Sequence, residues 1–228
     1  MIEFQPVETV LDFTAAFEIP AFGLWKDPNA IAAITYRALS PYGLQLAGME
    51  WDWGRNIGEN RLRVLGLFSY GASYEIRRDG IYVQFLQLSR ELVDEFSRSV
   101  EALLVAFKSG EAGTSYGRFR FTLGLHGKLS SANPVTFLRG FLSKVPRGLG
   151  EVQESGCAFW FAPTGECSSL SLLIEPSRRI QEALWIRLQG ALDARKVSLD
   201  AIRPRIETLY SQTLSALDLS LPTEVKGQ

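Results

Sequence analysis

Apolar residues recur along the chain with two different periods, which predict two kinds of element. Where they return every three or four positions, as at Leu92, Phe96 and Val100, one face of a helix is apolar. Where they alternate with polar residues, as at Ile81, Val83 and Phe85, the pattern is typical of a strand. The helical period predicts helices over residues 28–39, 89–108, 134–145 and 198–217. The period of two and a richness in β-forming residues predict strands over residues 6–17, 44–53, 61–70, 74–78, 81–88, 116–125, 152–162, 168–175 and 183–193.

Three of these segments leave alternatives open. Residues 6–17 are rich in β-formers but do not alternate cleanly, so the facing of this strand is undetermined. Residues 183–193 fit either period, and we favour a strand because Gly190 would weaken a helix. Pro204 lies inside the last helix, which therefore begins at Pro204 or bends there.

Two turns and one pair of cysteines add local detail. Asp79-Gly80 between two β-rich runs predicts a tight hairpin turn. A second turn through Pro163, Thr164 and Gly165 joins the strands that hold Cys157 and Cys167. A turn centred on Thr164-Gly165 sets Cys157 opposite Leu172, too far from Cys167 for a disulfide. We therefore expect two free thiols, with Cys157 packed in the core.

One sequence pattern occurs twice. Asp27-Pro28 opens the first short helix, and Asn133-Pro134 opens the second, an offset of 106 residues. Pro-x-Gly closes both stretches, at residues 41–43 and 146–148, an offset of 105 residues. Such helix ends are common, so coincidence is an alternative, but two matched ends at nearly one offset favour an internal duplication.

The order of elements predicts an α+β fold. Each half reads as a strand, a short helix, three to four antiparallel strands and a long helix, so the chain is predicted as two pseudo-repeats of β-α-β(3-4)-α. The first half covers residues 1–110 and the second covers 111–221, with a flexible tail at 222–228. We expect one compact unit, in which a curved antiparallel sheet carries the helices on one face and leaves the other face uncovered.

This element order resembles the duplicated saddle of the TATA-binding-protein-like fold. The resemblance covers most of the chain but lies in element order only. Because no residues match that protein's DNA-contacting positions, it implies a fold and no function. The opening run Pro6 to Leu11, with this length and element order, also resembles a sporadically distributed family of uncharacterised bacterial proteins, and this implies no chemistry.

Composition and net charge favour some classes of protein over others. The 228 residues are 46% hydrophobic and 21% charged, which is typical of a folded domain. The net charge of −1 argues against a dedicated nucleic-acid-binding protein, although a basic patch can lie within a neutral total. No apolar run reaches the roughly 20 residues that span a bilayer, and the N-terminus shows no secretory signal. With two cysteines, which suit a reducing compartment, we expect a cytoplasmic protein without membrane association.

The uncovered face of the predicted sheet is rich in side chains that anchor interfaces. Arginine and aromatic residues are enriched at protein interfaces, and we therefore predict a binding surface here. The alternative is that the arginines pair with carboxylates on neighbouring strands and that the tryptophans complete the packing. The positions predicted to face outward are Arg61, Arg63, Tyr82, Gln84, Arg118, Arg120, Trp160, Trp185, Arg187 and Gln189.

Candidate catalytic groups are few. The single histidine, His126, ends a strand and is a candidate general base. Glu50 and Asp52 share a strand face, as paired carboxylates in acid–base or metal sites do, but they also suit a solvated strand end. The sequence contains no G-x-S-x-G, HExxH, P-loop or GxGxxG motif, and the cysteine spacing does not suit zinc. We therefore expect no metal and no cofactor.

These observations favour a non-catalytic binding module that engages a protein partner or a second copy of itself. The first alternative is a small-molecule sensor with a pocket between sheet and helices. The second is a nucleic-acid-binding accessory protein, in which arginine and aromatic side chains stack bases. The third is an enzyme centred on Glu50, Asp52 or His126.

Overall fold

The computed structural model of this chain describes residues 1–56, 58–69, 71–86, 90–109, 113–141 and 155–222. These residues form an α+β fold of ten strands and four α-helices. The strands are β1 (Ile2–Phe17), β2 (Met49–Asp52), β3 (Arg61–Val64), β4 (Ala72–Arg77), β5 (Gly80–Leu86), β6 (Tyr116–Leu129), β7 (Cys157–Phe161), β8 (Cys167–Pro176), β9 (Ala183–Asp193) and β10 (Leu219–Ser220). The helices are α1 (Pro28–Leu39), α2 (Arg90–Ser109), α3 (Pro134–Arg139) and α4 (Ile202–Ala216).

All ten strands belong to one sheet. Nine follow the order β2-β3-β4-β5-β1-β6-β9-β8-β7, and every neighbouring pair in this order is antiparallel. The short β10 pairs in parallel with the start of β1. The long strands β1 and β6 lie side by side at the centre, so residues before and after position 110 share one continuous sheet.

A register shift explains why the opening strand does not alternate cleanly. The pairing of β1 with β6 shifts between Pro6 and Glu8. Phe4 is buried before this shift, whereas Phe13 and Ala15 are buried after it, so the inward-facing positions change from even to odd numbers. Proline cannot donate a ladder hydrogen bond, and such irregularities are where it is tolerated in a strand.

The helices pack against one face of this sheet. Phe96 and Leu103 of α2 belong to the same buried cluster as Phe85 of β5 and Phe121 of β6. In a second cluster, Leu138 of α3 and Leu214 of α4 meet inward-facing residues of β6, β8 and β9. The alternate residues on the opposite side of the strands belong to neither cluster. We call that side the open face.

All four predicted helices are present, although α3 ends early at Arg139 and α4 begins at Ile202, after a 3-10 turn over Leu199–Ala201. The carboxylate of Asp27 accepts hydrogen bonds from the backbone N–H groups of Asn29 (3.0 Å) and Ala30 (3.2 Å), which caps α1 as predicted. Asn133 caps α3 in the same way through Val135 N–H at 2.9 Å. Pro204 is the third residue of α4, so it lies in the first helical turn, where its missing N–H breaks no intrahelical bond.

Several predicted boundaries were too generous. The strands predicted over 44–53 and 61–70 shorten to β2 and β3, because a 3-10 turn occupies Leu46–Gly48 and because Phe68 and Ser69 have positive φ values of 52° and 56°. Helix α3 ends at Arg139. The rest of its predicted span beyond residue 141, the closing motif at 146–148 and the start of the strand predicted from residue 152 lie outside the described residues.

Both hairpin turns differ from the prediction. Arg77 pairs with Gly80, so the first turn is Arg78-Asp79, and Gly80 lies in the strand. A Cβ atom on Gly80 would lie 2.5 Å from the carbonyl oxygen of Ala15, so the glycine allows close strand approach and does not form the turn. The second turn is Gly165-Glu166, because Thr164 bridges Cys167 and because Gly165 has a φ of 54°.

The shifted second turn also corrects the prediction for the cysteines. Cys157 lies opposite Ile174, not Leu172, and it is half-buried. Cys167 is the buried thiol, at 3% exposure, and its Sγ lies 3.1 Å from the carbonyl oxygen of Ser169. Both thiols are free, as predicted, but Cys157 was wrongly assigned to the core.

Candidate binding surface on the sheet

Strand register places the predicted outward residues together. On β3 and β5 they lie between the buried residues Leu62, Val64, Ile81, Val83 and Phe85. The same alternation holds on β6 and β9, and pairing carries it across the sheet to β7. The open face therefore holds Arg61, Arg63, Tyr82, Gln84, Arg118, Arg120, Trp160, Trp185, Arg187 and Gln189. Their binding role stays a prediction.

At the β2–β5 end of the open face, arginines surround one carboxylate. Glu75 of β4 accepts a hydrogen bond from Arg77 Nε at 2.9 Å, and its oxygens lie 3.4 Å from Arg61 Nη1 and 3.7 Å from Arg63 Nε. Asp52 binds the other side of Arg61, at 2.8 Å from Nε and 2.6 Å from Nη2. We call these five residues the ionic end.

Local charge stabilises the protonated guanidinium at this end. The hydrogen bond from Arg61 to Asp52, followed by the field of Glu75, raises the pKa of Arg61. Glu75 is also the more buried partner, at 20% side-chain exposure against 32% for Arg61. Sequence reasoning missed Glu75 and Arg77. Alternation with the inward residues Tyr74 and Ile76 would have placed both outward.

Polar side chains next to the ionic end also form contacts within the protein. The guanidinium of Arg77 lies 4.3 Å from the ring centre of Tyr82, whose hydroxyl donates to Asp79 at 2.8 Å. Burial and then this hydrogen bond raise the pKa of Tyr82. Gln84 donates to Asp12 across the strand pair at 2.8 Å. Most polar contacts at this end are therefore made within the protein.

At the centre of the sheet, by contrast, exposed cations form no ion pair with the described carboxylates. Four exposed cations, Arg118, Arg120 and Lys128 of β6 and Arg187 of β9, form what we call the cationic stripe. Among the described residues, none of the four has a carboxylate within ion-pair distance. The stripe therefore presents positive charge to solvent, although the whole chain has a net charge of −1.

Cross-strand neighbours explain why these charges are not paired. Arg120 lies between Thr14 and Ala191, neither of which carries a charge. Arg187 lies between Gly124 and Leu173. On a sheet, directly opposite residues are the natural partners for ion pairs. Register thus gives these arginines no charged cross-strand neighbour within the described sheet.

The other two cations of the stripe, Lys128 and Arg118, differ in their cross-strand neighbours. Lys128 lies between the uncharged residues Gln5 and Ala183. Arg118 is opposite Asp193, but that carboxylate binds Arg195, with Oδ1 at 3.1 Å from Nε and Oδ2 at 3.2 Å from Nη2. The hydrogen bonds from Arg195 lower the pKa of Asp193.

Trp185 is packed within the protein. Its indole lies above Gly124, where an added Cβ would be 2.0 Å from the ring, and it stacks on His126 with ring centres 4.1 Å apart. The glycine provides the space that the indole fills. For Trp185, the packing alternative describes the observed contacts.

His126 lies in a polar cluster and is only 9% exposed. Its Nδ1 is 2.8 Å from Ser177 Oγ, which also accepts backbone hydrogen bonds from Arg179 (3.2 Å) and Ile180 (2.9 Å). Because both acceptor positions of Ser177 are used, its hydroxyl proton is directed to Nδ1. Burial lowers the pKa of His126. Glu8, opposite His126, binds Arg179 at 2.8 Å.

Trp160 differs from Trp185 because it remains exposed. It faces outward from β7, at the end of the described sheet, and 80% of its surface is accessible. Its neighbours Phe159 and Phe161, which point to the other side, are 37% and 47% exposed. This is an apolar strand end with no charged residue.

The candidate catalytic residues do not come together. Glu50 and Asp52 lie on β2, and His126 lies on β6, five strands away, a separation of about 24 Å at the usual strand spacing. Asp52 is bound by Arg61, and Glu50 is exposed opposite Arg63. Within the described ranges, no group of three or more histidine, cysteine, aspartate or glutamate side chains is placed to hold a metal ion.

Comparison with known proteins does not assign this chain to a family. In the part of the chain that the structure describes, no helix has the length and apolar character to cross a membrane. The α+β architecture, with a large antiparallel sheet and helices, is compatible with a saddle-like fold. No protein-family model matches the chain, and a search of curated proteins found no match.

Proposed function

We propose that this protein is a non-catalytic binding module that uses the open face of its sheet to engage a protein partner. The observation that carries the proposal is the cationic stripe: exposed arginines at the centre of the face have no described counter-charge. Arginine is enriched in protein interfaces, where its planar guanidinium binds carboxylates in a defined geometry. Trp160, exposed on the same face, is a second residue of the type that anchors interfaces.

The proposed architecture is an internal duplication. The strand order supports it, because β5 and β1 on one side of the sheet centre are matched by β9 and β6 on the other. Each half also places a short capped helix after its first strand and a long helix after its last major strand. In this arrangement the two halves contribute to one saddle-like surface, whose uncovered side is the binding surface.

Site-specific photo-crosslinking tests the proposal. A photoreactive amino acid replaces Gln189, which is exposed on β9 at the centre of the open face, and the protein is irradiated in native extract. The matched control carries the same group at Glu101, which is exposed on α2. We expect a discrete product of higher mass from position 189 only, identified by mass spectrometry.

Each result of this experiment is informative. A product that contains a second protein supports the proposal, and a product of twice the chain's mass assigns the face to a second copy. Equal labelling from positions 189 and 101, or no product from position 189 over a wide range of concentration, would overturn it.

The alternative functions gain less support. A described cavity of about 140 Å³ is lined by residues of β4, β5 and the segment before β4. It is smaller than the roughly 300–1,000 Å³ of typical ligand pockets and does not lie between sheet and helices. Neither the sensor nor the enzyme hypothesis has a described site of suitable size or composition to carry it.

A further inference from the structure

The cations of the stripe are spaced along β6 at multiples of two residues. Arg118 and Arg120 are two residues apart on one strand, so their Cα atoms are about 6.7 Å apart at about 3.4 Å per residue. Arg187 pairs with Gly124, four residues beyond Arg120, and Lys128 lies four residues further on. The stripe therefore runs along β6 for ten residues, a length of about 33 Å.

An extended peptide matches this spacing. In an extended chain, every second side chain points to the same side and is separated by about 6.7 Å. A segment laid along β6 with carboxylates at alternate positions therefore places successive negative charges over Arg118 and Arg120. A helix matches this spacing less closely, because its same-face side chains are about 5–6 Å apart, and at about 1.5 Å per residue it would need about 22 residues to cover the same length.

Polar groups lie between the charges. Thr122 and Gln189 are cross-strand partners, two positions along from Arg120 and two from Arg187. Gln189 is exposed and Thr122 half-exposed, and both offer hydrogen-bonding groups to a polar side chain or to the backbone of a bound segment. These neutral polar groups thus lie between the Arg118–Arg120 pair and Arg187.

Single-stranded nucleic acid also carries charges at regular intervals, but the rings beside the stripe do not form a platform for bases. Binding of single strands relies on exposed aromatic faces. Tyr82 has the guanidinium of Arg77 over one ring face, and Trp185 has His126 stacked on its indole. Trp160, the exposed aromatic, lies on β7, three strands from β6, or about 14 Å.

We infer that the partner presents an acidic, extended segment of about ten residues, which lies along β6 and pairs its carboxylates with Arg118, Arg120 and Arg187. This inference rests on the proposed function, because it names the partner chemistry of the same open face. Charge complementarity carries it: a cationic stripe that has no counter-charge among the described residues selects a negatively charged occupant.

Fluorescence anisotropy with the full chain and a defined probe tests the inference. The probe is a fluorescein-labelled peptide of about ten residues that alternates glutamate and threonine, at low ionic strength. The matched probes are the same peptide with glutamine in place of glutamate, and a single-stranded oligothymidylate of ten nucleotides. We expect saturable binding of the acidic peptide, weakened by added salt, and at least about tenfold weaker binding of the other two probes.

Two triple variants separate the stripe from general charge effects. Arg118→Gln, Arg120→Gln and Arg187→Gln remove three stripe charges, and at about threefold per ion pair we expect affinity to fall about 30-fold. The control has Arg37→Gln, Arg98→Gln and Arg139→Gln, which remove three exposed arginines from α1, α2 and α3. Its affinity should stay within about twofold of wild type. If the stripe triple fails to fold, Arg187→Gln alone should weaken binding about threefold.

The outcomes distinguish the two proposals. Equal affinity for the glutamate and glutamine peptides, or equal losses in the two triples, would overturn the acidic segment. Tighter binding of the oligothymidylate would overturn it in favour of a nucleic acid. If any of these results accompanies a protein crosslink at position 189, the binding module stands and only the partner chemistry is wrong. If position 189 yields no crosslink either, both proposals fall.

Discussion

Two regions of the open face use the same residue type in opposite ways. At the ionic end, three arginines share Glu75, and Asp52 binds Arg61 from the other side. Along β6 and β9, the arginines of the cationic stripe have uncharged cross-strand neighbours or, for Arg118, a carboxylate already bound to Arg195. At the ionic end the arginines are paired within the protein, whereas the cationic stripe at the centre of the sheet presents its charge to solvent.

This difference shows that an arginine facing outward from a strand can either form ion pairs within the protein or remain exposed without a described ion pair. Arg61 and Arg120 each precede a buried apolar residue, Leu62 and Phe121, and nothing in this local pattern separates them. What separates them is the residue on the next strand, which is Asp52 for Arg61 and Ala191 for Arg120. The packing alternative and the binding prediction therefore each apply, but to different parts of one face.

The largest expected effect comes from breaking the ionic end. Glu75→Ala leaves the guanidinium groups of Arg61, Arg63 and Arg77 close together without their shared carboxylate. Exposed ion pairs contribute about 0.2–1 kcal/mol and buried ones several times more, so for this half-buried network we expect the free energy of unfolding to fall by about 2 kcal/mol. Urea denaturation followed by circular dichroism measures it.

The matched control is Glu175→Ala. Glu175 also faces outward and is half-buried, on β8 opposite Trp185, but has no ion pair among the described residues. Its removal should change the free energy of unfolding by less than about 0.5 kcal/mol. If the two variants lose equal stability, the contrast between the ionic end and the rest of the open face is wrong.

A smaller loss of stability is expected from a substitution at Gly124, where the indole of Trp185 lies across β6. Gly124→Ala adds a Cβ only 2.0 Å from the Trp185 ring, so the indole must move off the strand and lose its stacking on His126. Because the ring is at the surface and can swing away, we expect a loss of about 1 kcal/mol in the free energy of unfolding, with a shift in tryptophan fluorescence.

Gly23→Ala provides the reference for this substitution, because no atom lies within 4 Å of an added Cβ at Gly23. It should leave both stability and fluorescence close to wild type. An unchanged fluorescence spectrum in Gly124→Ala would show that Trp185 does not depend on the space above the glycine.

The smallest expected effect is a pH dependence at His126. Burial lowers the pKa of His126 in the folded protein, while Glu8 acts to raise this pKa and Arg179 to lower it. The unfolded chain therefore binds a proton at a higher pH than the folded protein does, so proton uptake favours unfolding. Stability from the neutral imidazole is present above about pH 6.5 and is lost as the pH falls through the folded-state pKa.

His126→Gln removes this contribution. Thermal unfolding of both proteins between about pH 8 and pH 5 should show a steeper loss of stability on acidification for the wild type than for the variant. Parallel curves for the two proteins would show that His126 does not titrate differently in the folded and unfolded states.

Several structural features followed from local patterns. The caps at Asp27 and Asn133, the apolar stripe of α2 and the strand at 183–193 needed only nearby residues. The faces of β5 and β9 were also predicted, because a period of two assigns each side chain to one side. Strand ends and turns were less well predicted, since Gly80 proved to be a site of close strand approach outside the turn.

The candidate surface was predicted only as a set of outward residues. Its division into an ionic end and a cationic stripe could not be predicted, because Glu75 and Arg77 were not recognised as outward residues. The irregular pairing at Pro6 also hid the facing of β1, which separates the two regions. The internal duplication and the saddle-like architecture stay predictions, supported by strand order.

The sequence by itself determined the α+β class, most helices and the outward side of strands such as β5 and β9, because these depend on the periodicity of neighbouring residues. Only the tertiary structure decided which outward charges meet an opposite charge. That depends on which strand lies beside which, and in what register, over separations of more than about a hundred residues, as for Arg120 beside Thr14. A shift of one residue exchanges every cross-strand neighbour, so the sites of the unpaired cations follow from the assembled sheet.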